Sequence, residues 1–301
     1  MKEAKAFVPG HATCFFSPQF TENPLTTGSL GAGFCTKLGT LVKLRSQPAV
    51  QNEIRIYFSS SKRCISPELT DAPVSRLAAH LYLERAEITA FVDLNMDLDF
   101  PVGIGLGASA CGALGTVLTL NEIYGTLMLP EVHQLAHIAE VSHRTGLGDI
   151  IAQICGGFET RTIAGAPGVG KVIRHDNIDT DVLFLVHGAM DTSPVLRSQS
   201  FQTVAESLGK NLLKQFLAEP KLDQVAKLGR IFAQKTGLFT KDVRNFLEIA
   251  VKFGYSNGSM VLIGNTSFLL VDDSKEAATK LGLDKNFYYA TAISDSGALV
   301  L

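Results

Sequence analysis

The stretch 101-PVGIGLGASACGALG-115 decides how this chain is read. Gly103, Gly105 and Gly107 alternate with apolar residues, and then small residues follow without a break in helical composition to about Tyr124. A glycine loop that opens a helix is an anion site, because unpaired amide hydrogens and the helix dipole both face the ligand. The small residues Ala108, Ser109, Ala110, Gly112, Ala113 and Gly115 let that helix approach its neighbours closely. Just upstream, Val92, Leu94, Met96, Leu98 and Phe100 alternate with Asp93, Asn95, Asp97 and Asp99. Strict period-two alternation predicts a strand with one buried and one wet face, as in an antiparallel sheet, ended by Pro101.

Several loops of this kind bind nucleotides. A dinucleotide fingerprint needs G-x-G-x-x-G/A, which Gly103, Gly105 and Ala108 satisfy formally. Its acidic partner about 20 positions on would be Glu122, but that residue falls inside the predicted helix, and the strand before the loop alternates. A Walker A loop needs a lysine after the glycines, and none is present. A purely structural turn before a small-residue helix is the plain alternative. A further reading is a nucleotide-triphosphate loop of another kind, P-x-G-x-G-L-G-(A/S)-S-A, in which Ser109 can offer a hydroxyl to Mg²⁺.

The rest of the chain sets bounds. Its 301 residues suggest two domains or one large one. With 46% hydrophobic and 19% charged residues it has the material for a core, which excludes a disordered chain. The net charge of −2 shows no basic excess, so nucleic acid is not an expected partner. Cys14, Cys35, Cys64, Cys111 and Cys155 stand singly, with no CxxC pair, and read as reduced thiols. The opening MKEAKAFVPGHATCFF is cut by Pro9, Gly10 and His11, which fits neither a secretory signal nor an anchor. No window approaches 18 uninterrupted apolar residues, so the expectation is a soluble cytoplasmic protein with no membrane partner.

Organisation changes along the chain. The first half is rich in clustered glycines, whereas residues 199–250 carry helical spacing. A strand-like 181-DVLFLV-186 precedes these helices. After them, 259-SMVLI-263 and 266-TSFLLV-271 flank Gly264-Asn265, a hairpin signal. A soft boundary therefore falls near residues 165–180.

Candidate chemistry clusters between residues 131 and 161. Wound as a helix, His133, His137 and Glu140 share one face, with Leu135 and Ile138 pointing away. That face reads either as a metal cluster or as a solvated surface, and HExxH is absent because Gln134 follows His133. Asp149 precedes the apolar run 150-IIAQIC-155 and reads either as an N-cap or as a general base. Arg161 is otherwise a surface arginine on a strand, and Ser29 a serine in a turn.

The phosphate motif resembles that of the GHMP kinases, the superfamily of galactokinase, homoserine kinase and mevalonate kinase. The resemblance implies an α+β fold of two domains, an N-terminal ribosomal-protein-S5-like one over residues 1–170 and a C-terminal ferredoxin-like one over 171–301. It further implies that Gly103, Gly105, Leu106, Gly107, Ala108 and Ser109 hold ATP, that Ser109 and Glu140 hold Mg²⁺, and that Asp149 is the base. Many of these kinases have a Gly-Lys near the N-terminus, where this chain has Pro9-Gly10-His11.

Within the superfamily, Pro-Gly-His-x-Thr-x-Phe-Phe at residues 9–16, 24-PLTTGSLGAGF-34, 133-HQLAHIAEVSHRTGLGD-149 and 156-GGFETR-161 look like the archaeal pantoate kinases. The resemblance spans most of residues 7–170 and is weaker beyond, where 255-YSNGSMVLIG-264 stands for a third glycine motif in degenerate form. It implies ATP-dependent phosphorylation of the C4 hydroxyl of (R)-pantoate to 4-phosphopantoate for coenzyme A synthesis, by a homodimer. Arg161 would then bind the pantoate carboxylate, with Ser29 in the acceptor pocket. His11, His137, His143 and Arg144 are site neighbours without an assigned role. The alternatives are a homoserine- or mevalonate-like kinase, or a nucleotide-binding member without turnover.

Overall fold

The computed structural model describes residues 1–59, 71–175 and 179–301. Cys64 lies outside them. The chain opens with two long antiparallel strands, β1 (Lys2–Gln19) and β2 (Gly28–Pro48). Their register shifts between Pro9 and His11 and again between Thr13 and Phe15. Each irregularity re-aims the side chains beyond it, and both lie beside the functional cleft.

Next come β3 (Glu53–Ser59), α1 (Pro73–Arg85) and β4 (Ala90–Leu98). Val92, Leu94, Met96 and Leu98 are buried and the residues between them only partly so, as the alternation predicts. The antiparallel expectation is half met. β4 is antiparallel to β2 but parallel to β3, with α1 in the crossover that a parallel neighbour requires. Alternation reports which faces are covered, and it is blind to strand direction.

The glycine loop leads into α2 (Ala108–Tyr124), then α3 (Leu129–His143) and the short α4 (Asp149–Cys155). α2 packs on β1 and β2 and against α1 and α3. Its small residues permit this: a Cβ on Gly115 would sit 2.4 Å from Cγ2 of Val42 on β2. β5 (Phe158–Ile163) then pairs with the first part of β2, beside β4 on the same edge, and carries the hairpin partner β6 (Lys171–His175).

The second sheet comprises β7 (Asp181–Gly188), β8 (Gly258–Val261), β9 (Asn265–Val271) and β10 (Tyr288–Ala292) in the order β10-β7-β9-β8. Between β7 and β8 run α5 (Thr192–Arg197), α6 (Gln199–Ala218), α7 (Leu222–Lys235) and α8 (Lys241–Lys252); α9 (Ser274–Lys280) links β9 to β10. The predicted hairpin forms, but its turn is residues 262–264, and Asn265 already belongs to β9. The two sheets share a core: Phe34 of β2 stacks near Phe184 of β7 and meets Phe268 of β9 edge-on at 5.3 Å.

Past β10 the chain returns to the first sheet. The amide of Gly157 donates to the Ser294 carbonyl at 2.8 Å, Ser294 donates to Cys35, and Ala298 donates to the Gln153 carbonyl at 2.8 Å. This segment backs α4 before β11 (Leu299–Val300) pairs with β1 at Ala6 and Phe7. Among the described residues no helix is long and apolar enough to cross a membrane. Cys14, Cys35, Cys111 and Cys155 are free thiols, the first three buried.

Candidate active site

The glycine loop ends where the helix begins. Gly107 occupies the N-cap of α2 with φ of +65°, a conformation that favours glycine, and no side chain caps the first turn. The first-turn amides are therefore open to a ligand, beside a cleft of about 440 Å³. The loop is fixed from two sides. The His11 amide donates to the Leu106 carbonyl at 3.1 Å, and Gly264 in the β8–β9 turn lies against the Ile104 carbonyl. Gly103, Gly105, Leu106, Gly107, Ala108 and Ser109 all line the cleft, as do Ser29 and Asp149.

Two carboxylates meet near Ser109. Its hydroxyl donates to Oε1 of Glu140 at 3.0 Å, although the two residues sit on different helices. Glu140 is only 2% exposed. Burial first, and then the charge of Asp149, push its carboxyl well above the usual range, while the Ser109 hydrogen bond pulls the other way. Gly146 lies between the acids. A Cβ there would stand 2.7 Å from Oδ2 of Asp149 and 2.7 Å from Oε1 of Glu140. The missing side chain leaves a space faced by oxygen atoms, the donor set that a hard divalent cation takes.

Asp149 does not cap α4. Gly148 holds the N-cap position, no side chain caps the helix, and Asp149 is its first residue. The carboxylate turns instead to His11, whose Nδ1 lies 2.7 Å from Oδ1. His11 is completely buried, and its Nε2 lies 3.1 Å from Oε1 of Glu159. The same Glu159 oxygen accepts from Nη1 of Arg161 at 2.5 Å. Sequence patterns missed Glu159. Its neighbours in space are distant in sequence, and the only local signal was its place two residues before Arg161 on one strand face.

Arg161 is no surface arginine. It is 1% exposed, and its Nε and Nη2 are buried with no hydrogen-bond partner among the described residues. Gly148 separates it from Ser29: a Cβ at that position would fall 2.5 Å from Oγ of Ser29 and 2.7 Å from Nε of Arg161. Ser29, Arg161 and Asp149 are thus gathered around one turn, residues 145–148, with Arg161 behind it.

The histidine face of α3 needs correction. His137 and Glu140 are buried and His133 half-buried, so most of the face is not solvated; Leu135 is buried as well. A helix enclosed on several sides by α1, α2, α4 and the loop before β2 has no single wet face for periodicity to reveal. Nor is there a metal cluster. His137 Nε2 lies 3.1 Å from the Pro24 carbonyl and 3.0 Å from that of Thr27, which ties down the turn leading to Ser29. No group of three His, Cys, Asp or Glu side chains among the described residues is arranged to hold a metal by itself. His143 Nδ1 bonds the Ala139 carbonyl, and Arg144 lies over the Phe20 ring. Neither converges on the acids.

Comparison with known proteins supplies the family. The model of the GHMP kinases N terminal domain matches residues 73–157. The pantoate kinase of Thermococcus kodakarensis is 36% identical over 96% of this chain and 94% of its own length. The chain belongs to the pantoate kinase family. A second member, from Methanospirillum hungatei, is 31% identical over 92% of this chain and 90% of its own. A solved structure described as a phosphotransferase related to the CoA biosynthesis pathway superposes with a TM-score of 0.84, at 32% identity, covering 100% of this chain and 99% of that one. The fold is accordingly the α+β fold of the GHMP kinases, and as a member of the pantoate kinase family the chain is a kinase.

Proposed function

We propose that this chain transfers the γ-phosphate of ATP to the C4 hydroxyl of (R)-pantoate, giving 4-phosphopantoate for coenzyme A synthesis. The observation that carries the reading is Arg161. It is a buried guanidinium with two nitrogens, Nε and Nη2, that have no partner among the described residues, held beside Ser29 and the turn that leads into Asp149. A planar fork of donors suits a carboxylate, which pantoate brings and a simple alcohol does not. Gly148, which has no side chain, lies between Ser29 and Arg161, so the acceptor carboxylate approaches the guanidinium past that residue.

The other roles follow from position. Amides of residues 103–109 and the N-terminus of α2 receive the phosphates. Ser109 and Glu140 would hold Mg²⁺, which when bound neutralises charge on the β- and γ-phosphates. Ser29 orients the acceptor. Asp149 takes the C4 hydroxyl proton through Oδ2 as the hydroxyl oxygen attacks the γ-phosphorus in line and ADP leaves. Positioning and electrostatic stabilisation supply most of the rate. We also place the protein in the cytoplasm as a homodimer, which sedimentation of the purified chain tests.

The deciding experiment is ADP release from MgATP with pantoate, homoserine and mevalonate in parallel, with the product examined by phosphorus NMR. Turnover with pantoate and a phosphomonoester at C4 is the expected result. Turnover with mevalonate or homoserine instead would remove the carboxylate role of Arg161. ATP binding without acceptor-dependent ADP would mean a nucleotide-binding protein. Asp149→Asn, if folded and fully active, would remove the base.

A further inference from the structure

His11 has no part in the roles above, yet it is the side chain that Asp149 touches. Both of its ring nitrogens face carboxylate oxygens, Oδ1 of Asp149 at 2.7 Å and Oε1 of Glu159 at 3.1 Å. With both carboxylates ionised each oxygen accepts and both nitrogens donate, which only the imidazolium does; a neutral ring would instead let Nε2 accept from Arg161 Nη1, 3.4 Å away. Arg161 Nη1 donates to the same Glu159 oxygen. Four side chains, three of them fully buried, therefore alternate in sign from Asp149 through His11 and Glu159 to Arg161. His11 also sits at the first register shift of β1, where its amide bonds the phosphate loop at Leu106.

We propose that His11 and Glu159 are positioning residues: His11 aims the Asp149 carboxylate at the acceptor hydroxyl, and Glu159 holds His11 and Arg161 on one oxygen. The spacing between the base and the carboxylate anchor is thereby fixed by a single buried acid. An acceptor of the right length between carboxylate and hydroxyl then meets both groups at once.

The surroundings of His11 agree. Burial opposes its charged form, but the hydrogen bonds to Asp149 and then Glu159 outweigh burial and raise its pKa. The groups that face it are Asp149 from α4, Glu159 and Arg161 from β5, and the Thr13 hydroxyl at 3.5 Å on its own strand. β2 places Gly33 against the ring and pairs Cys35 opposite, a thiol that burial pushes well above its usual range. From α2, Cys111 bonds the Pro9 carbonyl instead.

The inference rests on Asp149 being the base, and the test separates the two. In wild-type protein labelled with ¹⁵N-histidine, with His11 assigned through its backbone, both ring nitrogens are expected to be protonated at pH 7.5. A neutral His11 would overturn the proposal, and this measurement needs no variant to fold and no assumption about the base. In steady-state kinetics, His11→Asn and Glu159→Gln are each expected to lower kcat about 10²-fold, the scale of a misplaced reacting group, with KM for ATP unchanged. Glu159→Gln also raises KM for pantoate. The double variant is expected to be no slower than the slower single one. Unchanged kcat with a lower melting temperature, or losses that multiply, would reduce both residues to a structural role. Should Asp149→Asn retain turnover, the base reading fails whatever the charge on His11.

Discussion

Ser109 on α2 donates its hydroxyl to Glu140 on α3 at 3.0 Å, and the oxygen that accepts it faces Asp149 across Gly146. This arrangement is unfavourable for the protein alone. A buried acid whose folded pKa is raised contributes most stability below its ordinary value of 4.5 and loses it as pH rises through the folded value. Glu140→Gln is therefore expected to melt no lower than wild type at neutral pH without Mg²⁺. The same change should lower kcat by roughly 10²-fold or more, the scale of removing a preorganised group that stabilises charge. Calorimetry with and without Mg²⁺, beside turnover, checks both halves.

Gly146→Ala tests the space between the acids. The backbone there has no positive φ to obstruct alanine. The new methyl would nonetheless occupy the position 2.7 Å from both carboxylates. Expected is a folded protein of near wild-type melting temperature whose turnover falls about 10²-fold and rises less steeply with Mg²⁺. Wild-type turnover in this variant would show that nothing enters that space during the reaction.

His11 predicts a pH dependence of stability. Its folded pKa is raised above 6.5, so the stabilisation it provides is fully present below about pH 6.5 and is lost as pH rises through the folded value. Urea melts of wild type and His11→Asn should differ most at pH 6 and converge as the solution becomes alkaline. A gap that widens with pH would contradict the assigned charge.

Arg161→Lys keeps a cation but removes the fork. KM for pantoate should rise about 10–100-fold, the worth of one or two charge-assisted hydrogen bonds, while KM for ATP stays near wild type. An equal rise for both substrates would point to a general distortion of the cleft.

Much of this site was legible because its parts are local. The loop from Gly103 to Ser109 announces itself through glycine spacing, and the helix after it through small residues. The likeness of 133–149 and 156–161 to a known family marked Glu140, Asp149 and Arg161. What the sequence did not show depends on distance along the chain. His11 and Asp149 are 138 residues apart and His11 and Glu159 are 148 apart, and no periodicity links them. The α3 face was read as a metal cluster or a wet surface because spacing names the residues on a face but not what covers it. Asp149 looked like an N-cap because the boundary of α4 lay one residue earlier, at Gly148.

The segment that backs α4 has a consequence for synthesis. Residues 294–298 supply hydrogen bonds to Gly157 and Gln153, and Leu299 and Val300 close the free edge of β1. At ribosomal speeds of about 5–20 residues per second, a nascent chain spends on the order of tens of seconds with that edge open. Throughout that interval the helix bearing Asp149 lacks its bonds to residues 294–298, and for most of it the phosphate loop lacks the β8–β9 turn. Both ends of the cleft are therefore completed late: the phosphate loop waits for Gly264, and the helix of the base waits for residues 294–298.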